Sequence, residues 1–76
     1  MAIFVDEVIE DLEEKNYVIE KQDMGDYKLL EAPVFEHQTE KAVLAEHDIW
    51  IPKSIMRVDQ NGNIYLKNWF WEKTYG

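Results

Sequence analysis

The chain predicts an α+β fold. An amphipathic N-terminal helix packs on a small, mostly antiparallel sheet of five to six strands with an SH3- or OB-like barrel curl, and a short helical turn closes the C-terminus. Three observations carry this. Residues 3–15 separate apolar from acidic side chains at helical period. Two apolar runs, 42–45 and 49–51, are parted by Glu46–His47–Asp48 and stopped by Pro52. Asn61-Gly62 stands between two short β-prone runs, the strongest local hairpin signal.

In the first segment Phe4, Val5, Val8, Ile9 and Leu12 share one stripe at 100° per residue, opposite Asp6, Glu7, Glu10, Asp11, Glu13 and Glu14. Ile3 falls on the acidic side, so the first residues are expected to be extended, with Asp6 as candidate N-cap. Asn16 can end the helix in a left-handed conformation. Residues 17–19 and 27–30 are expected to form a first hairpin around Asp23–Met24–Gly25–Asp26. Pro33 interrupts, so Val34–Phe35 begins a new or edge strand.

The stretch 40–54 is read as two strands, roughly 41–46 and 49–52. Their unbroken apolar runs predict cover on both faces and place Trp50 in the core. Pro52 lacks an N–H and ends the second strand or bulges it. Residues 57–59 and 64–66 form the Asn-Gly hairpin, for which a type I′ turn needs positive φ at both central residues. Residues 68–74 fit either a last strand or one or two helical turns, and Asn68 as a cap favours the helix.

With 76 residues the chain is expected to be a single domain, 1–30 carrying the acidic helix and first hairpin and 31–76 a β-rich module. Cysteine is absent, so stability must come from packing by a chain that is 46% hydrophobic. No leader pattern opens the sequence and no apolar run approaches the ~18 residues of a membrane span, which predicts a soluble, cytoplasmic protein.

The net charge of −8 is unevenly spread. Residues 1–26 hold nine acids against two lysines, a net of −7, and residues 27–76 a net of only −1. Such a field disfavours nucleic acid and membrane phosphates and attracts basic surfaces. The acid face of the helix also sets like charges three and four residues apart, which costs a few tenths of a kcal/mol per pair.

The segment Glu40-Lys41-Ala42-Val43-Leu44, a short turn, then Ile49-Trp50-Ile51-Pro52-Lys53-Ser54 resembles small, largely uncharacterised proteins encoded by phages and prophages. In these a KAVL strand pairs with a WIPKS strand, followed by a hairpin and a Trp-containing helical end that Trp69–Lys73 would match. The resemblance covers about residues 36–73. It implies a viral source, a host-cell cytoplasmic location and a compact β-rich module, and it assigns no catalytic residue.

His37 and His47 with Glu36, Glu40, Glu46 and Asp48 have no established metal-ligand spacing, and Ser54 has neither a glycine-rich elbow nor a defined base. No metal, cofactor or enzymatic activity is expected. What remains is a protein–protein module, a phage-encoded inhibitor of a host nucleic-acid-binding defence (anti-CRISPR-like) or of a transcription complex. Its partner-binding residues would be Asp6, Glu7, Glu10, Asp11, Glu13 and Glu14 toward a basic host surface, with Trp69 and Trp71 as apolar anchors. The alternatives are a small β-barrel that binds single-stranded nucleic acid through Trp50, Tyr65, Trp69 and Trp71 with Lys53, Arg57 and Lys67, and a structural homo-oligomer, of which a homodimer is the simplest form.

Overall fold

A computed structural model describes residues 3–75, and it is an α+β structure with two helices and two antiparallel three-stranded sheets. The elements run α1 (Val5–Glu14), β1 (Tyr27–Leu30), β2 (Phe35–Gln38), β3 (Ala42–Ala45), β4 (Ile49–Pro52), β5 (Met56–Val58), β6 (Ile64–Lys67) and α2 (Asn68–Thr74). One sheet has the order β1-β6-β5 and the other β2-β3-β4. They remain two sheets, so the barrel is not closed.

Helix α1 begins earlier than the candidate cap Asp6. Ile3 donates its N–H to the Phe35 carbonyl at 2.9 Å, which holds the chain extended through Phe4, the actual N-cap residue. Asp6 and Glu7 therefore fall in the first turn, where their charges meet the positive end of the helix dipole. The other end closes as a Schellman motif: Asn16 at φ 63° donates to the Glu13 carbonyl, and Tyr17 to the Leu12 carbonyl.

The expected hairpin of 17–19 with 27–30 does not form. Tyr17–Ile19 instead runs parallel along β5, with the Val58 N–H donated to the Tyr17 carbonyl and the Ile19 N–H to the Val58 carbonyl. The reason is local. Glu20 and Asp23 cap a 3₁₀ turn over Lys21–Asp23, and Gly25 does not adopt positive φ, so the chain winds past instead of reversing tightly. Strand β1 then takes the free edge of β6 in the register Tyr27↔Lys67 to Leu30↔Ile64.

The β5–β6 hairpin forms, but without the type I′ turn. Only Gly62 has positive φ, 82°, and its N–H closes the turn on the Asp59 carbonyl at 3.2 Å. The Asp59 carboxylate organises the loop. Its Oδ1 accepts the Asn61 and Asn63 backbone N–H groups, and its Oδ2 accepts the Asn63 amide and the Tyr65 hydroxyl.

Strands β3 and β4 pair Ala45↔Ile49 through Ala42↔Pro52. The connecting turn bends by left-handed His47 and Asp48, types that tolerate this region better than most. Burial alternates along both strands. Val43, Ala45 and Ile51 point into the core, while Trp50 stands opposite Leu44 on the outer face and is 48% exposed. Trp50 is thus not a core residue, because no second layer covers that face.

Val8 and Leu12 of α1, Phe35 of β2, Met56 of β5, Leu66 of β6 and Phe70 of α2 meet between the sheets. A 3₁₀ turn, Lys53–Ile55, carries the chain from one sheet to the other. No helix among the described residues is long and apolar enough to cross a membrane.

Candidate functional site

The carboxylates of α1 divide into two groups. Asp6, Glu7, Glu10, Glu13 and Glu14 are exposed, and none has an ion-pair partner among the described residues. Asp11 is different. Its Oδ2 accepts the Lys53 ammonium, and both oxygens accept Lys15 at 2.9 and 3.0 Å. The hydrogen bond from Lys53, followed by that from Lys15, holds the Asp11 carboxyl below the usual carboxylate range. Asp11 therefore ties α1 to the body of the protein and contributes less free charge than its five neighbours.

Lys53 is not the exposed nucleic-acid contact that the sequence offers, because it is buried in an ion pair with Asp11, and that structural role is what sequence reasoning missed. Its side chain is only 2% exposed, and its ammonium also donates to Gln38 Oε1 at 2.8 Å. A lysine after a strand-ending Pro52 defaults to solvent, and no local pattern signals that its partner stands on the first helix.

Helix α1 packs against β5, whereas α2 packs against β6 and β1. The helix that bears the acid face thus packs on the edge strand β5, while the helix that bears the two tail tryptophans packs on the central strand β6 and the other edge strand β1. Trp69 is 50% exposed. Trp71 is partly buried, donates its indole N–H to the Lys28 carbonyl at 3.2 Å, and packs against Tyr75. The exposed large apolar residue nearest to the acid face in sequence is Phe4, 80% exposed just before α1, although the helical period assigns it to the buried stripe. Because the helix begins only at Val5, Phe4 is released from that stripe.

On the β1-β6-β5 sheet the Arg57 guanidinium lies over Tyr17 at 4.9 Å and over Tyr27 at 5.4 Å. Arg57 also donates to the Ser54 and Met56 carbonyls, so Ser54 serves as a backbone acceptor at the exit of β4. His37 sits edge-on to Trp50, 6.5 Å between ring centres. Among the described residues, no group of three or more His, Asp or Glu side chains is placed to hold a metal ion.

These features define an open α+β sandwich that presents a one-sided acidic helix. No family model, curated protein or solved structure matches the chain.

Proposed function

We propose that this chain is a protein–protein interaction module, not an enzyme, whose α1 face engages a basic surface of its partner. One observation carries the reading. Five carboxylates on a single helix face lack a counter-ion among the described residues, while the helix itself is pinned by Val8, Leu12 and the Asp11–Lys53 pair. Like charges so spaced repel one another and give a partner's lysines and arginines an uncompensated field. Phe4 beside them supplies an apolar anchor of the aromatic kind that concentrates binding energy.

The finer reading is a phage-encoded inhibitor acting in the host cytoplasm. It would occupy a phosphate-binding groove of a nucleic-acid-binding defence or transcription complex. It rests on the acid face together with the resemblance of residues 36–73 to phage proteins. Affinity capture from host lysate tests it, comparing the native chain with the Glu10→Lys, Glu13→Lys, Glu14→Lys variant. Loss of the captured protein with the fold intact supports the acid face. Undiminished capture refutes it.

A second reading, single-stranded nucleic-acid binding, is favoured by the Tyr17–Arg57–Tyr27 stack, since aromatic and guanidinium faces stack on bases. Against it, Tyr27 is 8% exposed and the chain carries −8. Under this reading an oligonucleotide binds at low salt and Arg57→Ala weakens it. Absence of binding at low salt removes it.

A further inference from the structure

The β5–β6 loop sets a free side-chain amide beside an unhindered peptide nitrogen. A backbone nitrogen reaches the amide carbon of a preceding asparagine most readily when it belongs to glycine, which has no side chain to block the approach. The chain has Asn16, Asn61, Asn63 and Asn68, and glycine follows only Asn61. We infer that Asn61 is a modification site, converted spontaneously to aspartate and isoaspartate at a rate governed by the Asp59 carboxylate.

The asparagines differ in what holds them. The Asn63 amide donates to Asp59 Oδ2 at 3.0 Å, and the Asn68 amide to the Gly25 carbonyl at 3.0 Å. Asn16 precedes Tyr17, whose bulk shields its N–H, and that N–H is donated to the Leu12 carbonyl at 2.9 Å. Asn61 is exposed, and its amide has no hydrogen-bond partner among the described residues. Space is open at Gly62 as well, where a Cβ would meet only Ile9 Cδ1, at 3.8 Å.

The reaction needs only the loop and a water molecule. The Gly62 nitrogen bonds to Asn61 Cγ, the Cγ–Nδ2 bond breaks, and ammonia leaves with the proton that the Gly62 nitrogen gives up. Water then opens the cyclic imide at either carbonyl, to aspartate or to isoaspartate. Both products add a negative charge beside Asp59, and the iso form lengthens the loop backbone by a carbon.

Asp59 opposes the first step. Its Oδ1 holds the Asn61 N–H and the Asn63 N–H, each at 2.9 Å, and so fixes the backbone on both sides of the reacting peptide. The Gly62 N–H is held only by the Asp59 main-chain carbonyl, at 3.2 Å, the long limit for such a bond. Once the two carboxylate bonds open, the nitrogen can turn toward Cγ, and this opening is local and does not require the sheets to separate. Bonds to a charged acceptor are the stronger kind, so their loss should raise the open fraction about tenfold or more.

No residue of the acid face takes part, so this inference stands apart from the acid-face reading. The test incubates the full chain in mildly alkaline buffer and follows each asparagine by peptide mapping with mass spectrometry. Asn61 should convert ahead of the other three, with release of ammonia and with isoaspartate among the products. The folded chain should convert about tenfold or more slowly than the same chain unfolded in guanidinium chloride, and folded Asp59→Ala should recover most of that difference. Hydrogen exchange of the Gly62 N–H gives a second measure that needs no variant, since its protection in the native chain should match the slowing. No conversion at Asn61, earlier conversion elsewhere, or a native rate equal to the unfolded one overturns the inference. So does a slowing that the Gly62 protection does not match, or a folded Asp59→Ala variant as slow as the native chain.

Discussion

Asp11 and Lys53, 42 residues apart, form an ion pair in which the lysine is almost sealed from solvent and the aspartate is not. That asymmetry makes the two partners unequal. Asp11→Ala leaves a buried ammonium with Gln38 alone and should cost about 3–5 kcal/mol. Lys53→Met replaces the ammonium by an apolar chain of similar length and leaves Asp11 with Lys15 and water, so it should cost under about 1 kcal/mol. Urea unfolding of both variants checks this, and equal losses would contradict it.

The same aspartate and Asp59 set the acid limit of stability. Hydrogen bonds from Lys53 and then Lys15 lower Asp11. At Asp59 burial acts upward, but the hydrogen bonds from Asn63, Tyr65 and Asn61 outweigh it and the net shift is downward. Folded carboxyls with depressed pKa release stability only when protonated. Their contribution is complete above the unfolded value of about 3.9 and disappears as pH falls through the lower folded values. Asp11→Asn and Asp59→Asn should each flatten the acid limb of a stability–pH curve. Tyr65 has the opposite sign: its hydrogen bond to Asp59, aided by burial, raises it. Its contribution is present below the unfolded value near ~10 and is lost as pH rises through the folded one.

Trp50 offers a test of the open sandwich. Being half exposed on an uncovered face, Trp50→Ala should cost roughly 1 kcal/mol, whereas Ile51→Ala, one residue on and fully buried, should cost about 2–5 kcal/mol. Chemical denaturation of the pair separates the two. If Trp50→Ala proves the more damaging, a layer must cover that face.

At Gly62 the cost is conformational. A Cβ there would meet only Ile9 Cδ1 at 3.8 Å, so space is free, but φ is 82°. Gly62→Ala should therefore destabilise by about 1–2 kcal/mol without changing the hairpin register, read from cross-strand contacts by NMR.

What the sequence made legible was local. Helix α1 from its stripe, β3 and β4 from the break at Glu46–Asp48 and from Pro52, and the β5–β6 hairpin from Asn61-Gly62 each depend on residues a few positions apart. The failures involve partners far away. Tyr17–Ile19 was matched to its nearest strand in sequence, 27–30, when its partner is Val58. Lys53 answers to Asp11 and Gln38, and a cavity beside the C-terminal helix is assembled from three separated stretches. Trp50 failed for another reason: hydrophobicity marks a strand but not which face of it another layer will cover. Of the candidate site, the acid face was readable as a stripe, but the withdrawal of Asp11 from it was not.

The acid face should stabilise when its charge is reversed. Asp6 and Glu10 are like charges one turn apart, and Glu13 and Glu14 stand in the last turn, where negative charge opposes the helix dipole and no basic residue offsets it. Glu10→Lys makes the contacts with Asp6 and Glu7 attractive, and Glu13→Lys with Glu14→Lys suits the dipole. The pairs at 10 and 13 and at 10 and 14 stay like-charged with their sign reversed, so they neither gain nor lose. The favourable changes are worth a few tenths of a kcal/mol each and about 1 kcal/mol together. The triple variant should therefore unfold at higher urea while capturing less partner. Those two shifts in opposite directions distinguish a surface kept for binding from one kept for solubility. A variant that gains stability and still captures its partner would show that the charge serves solubility, and that the contact lies elsewhere on the molecule.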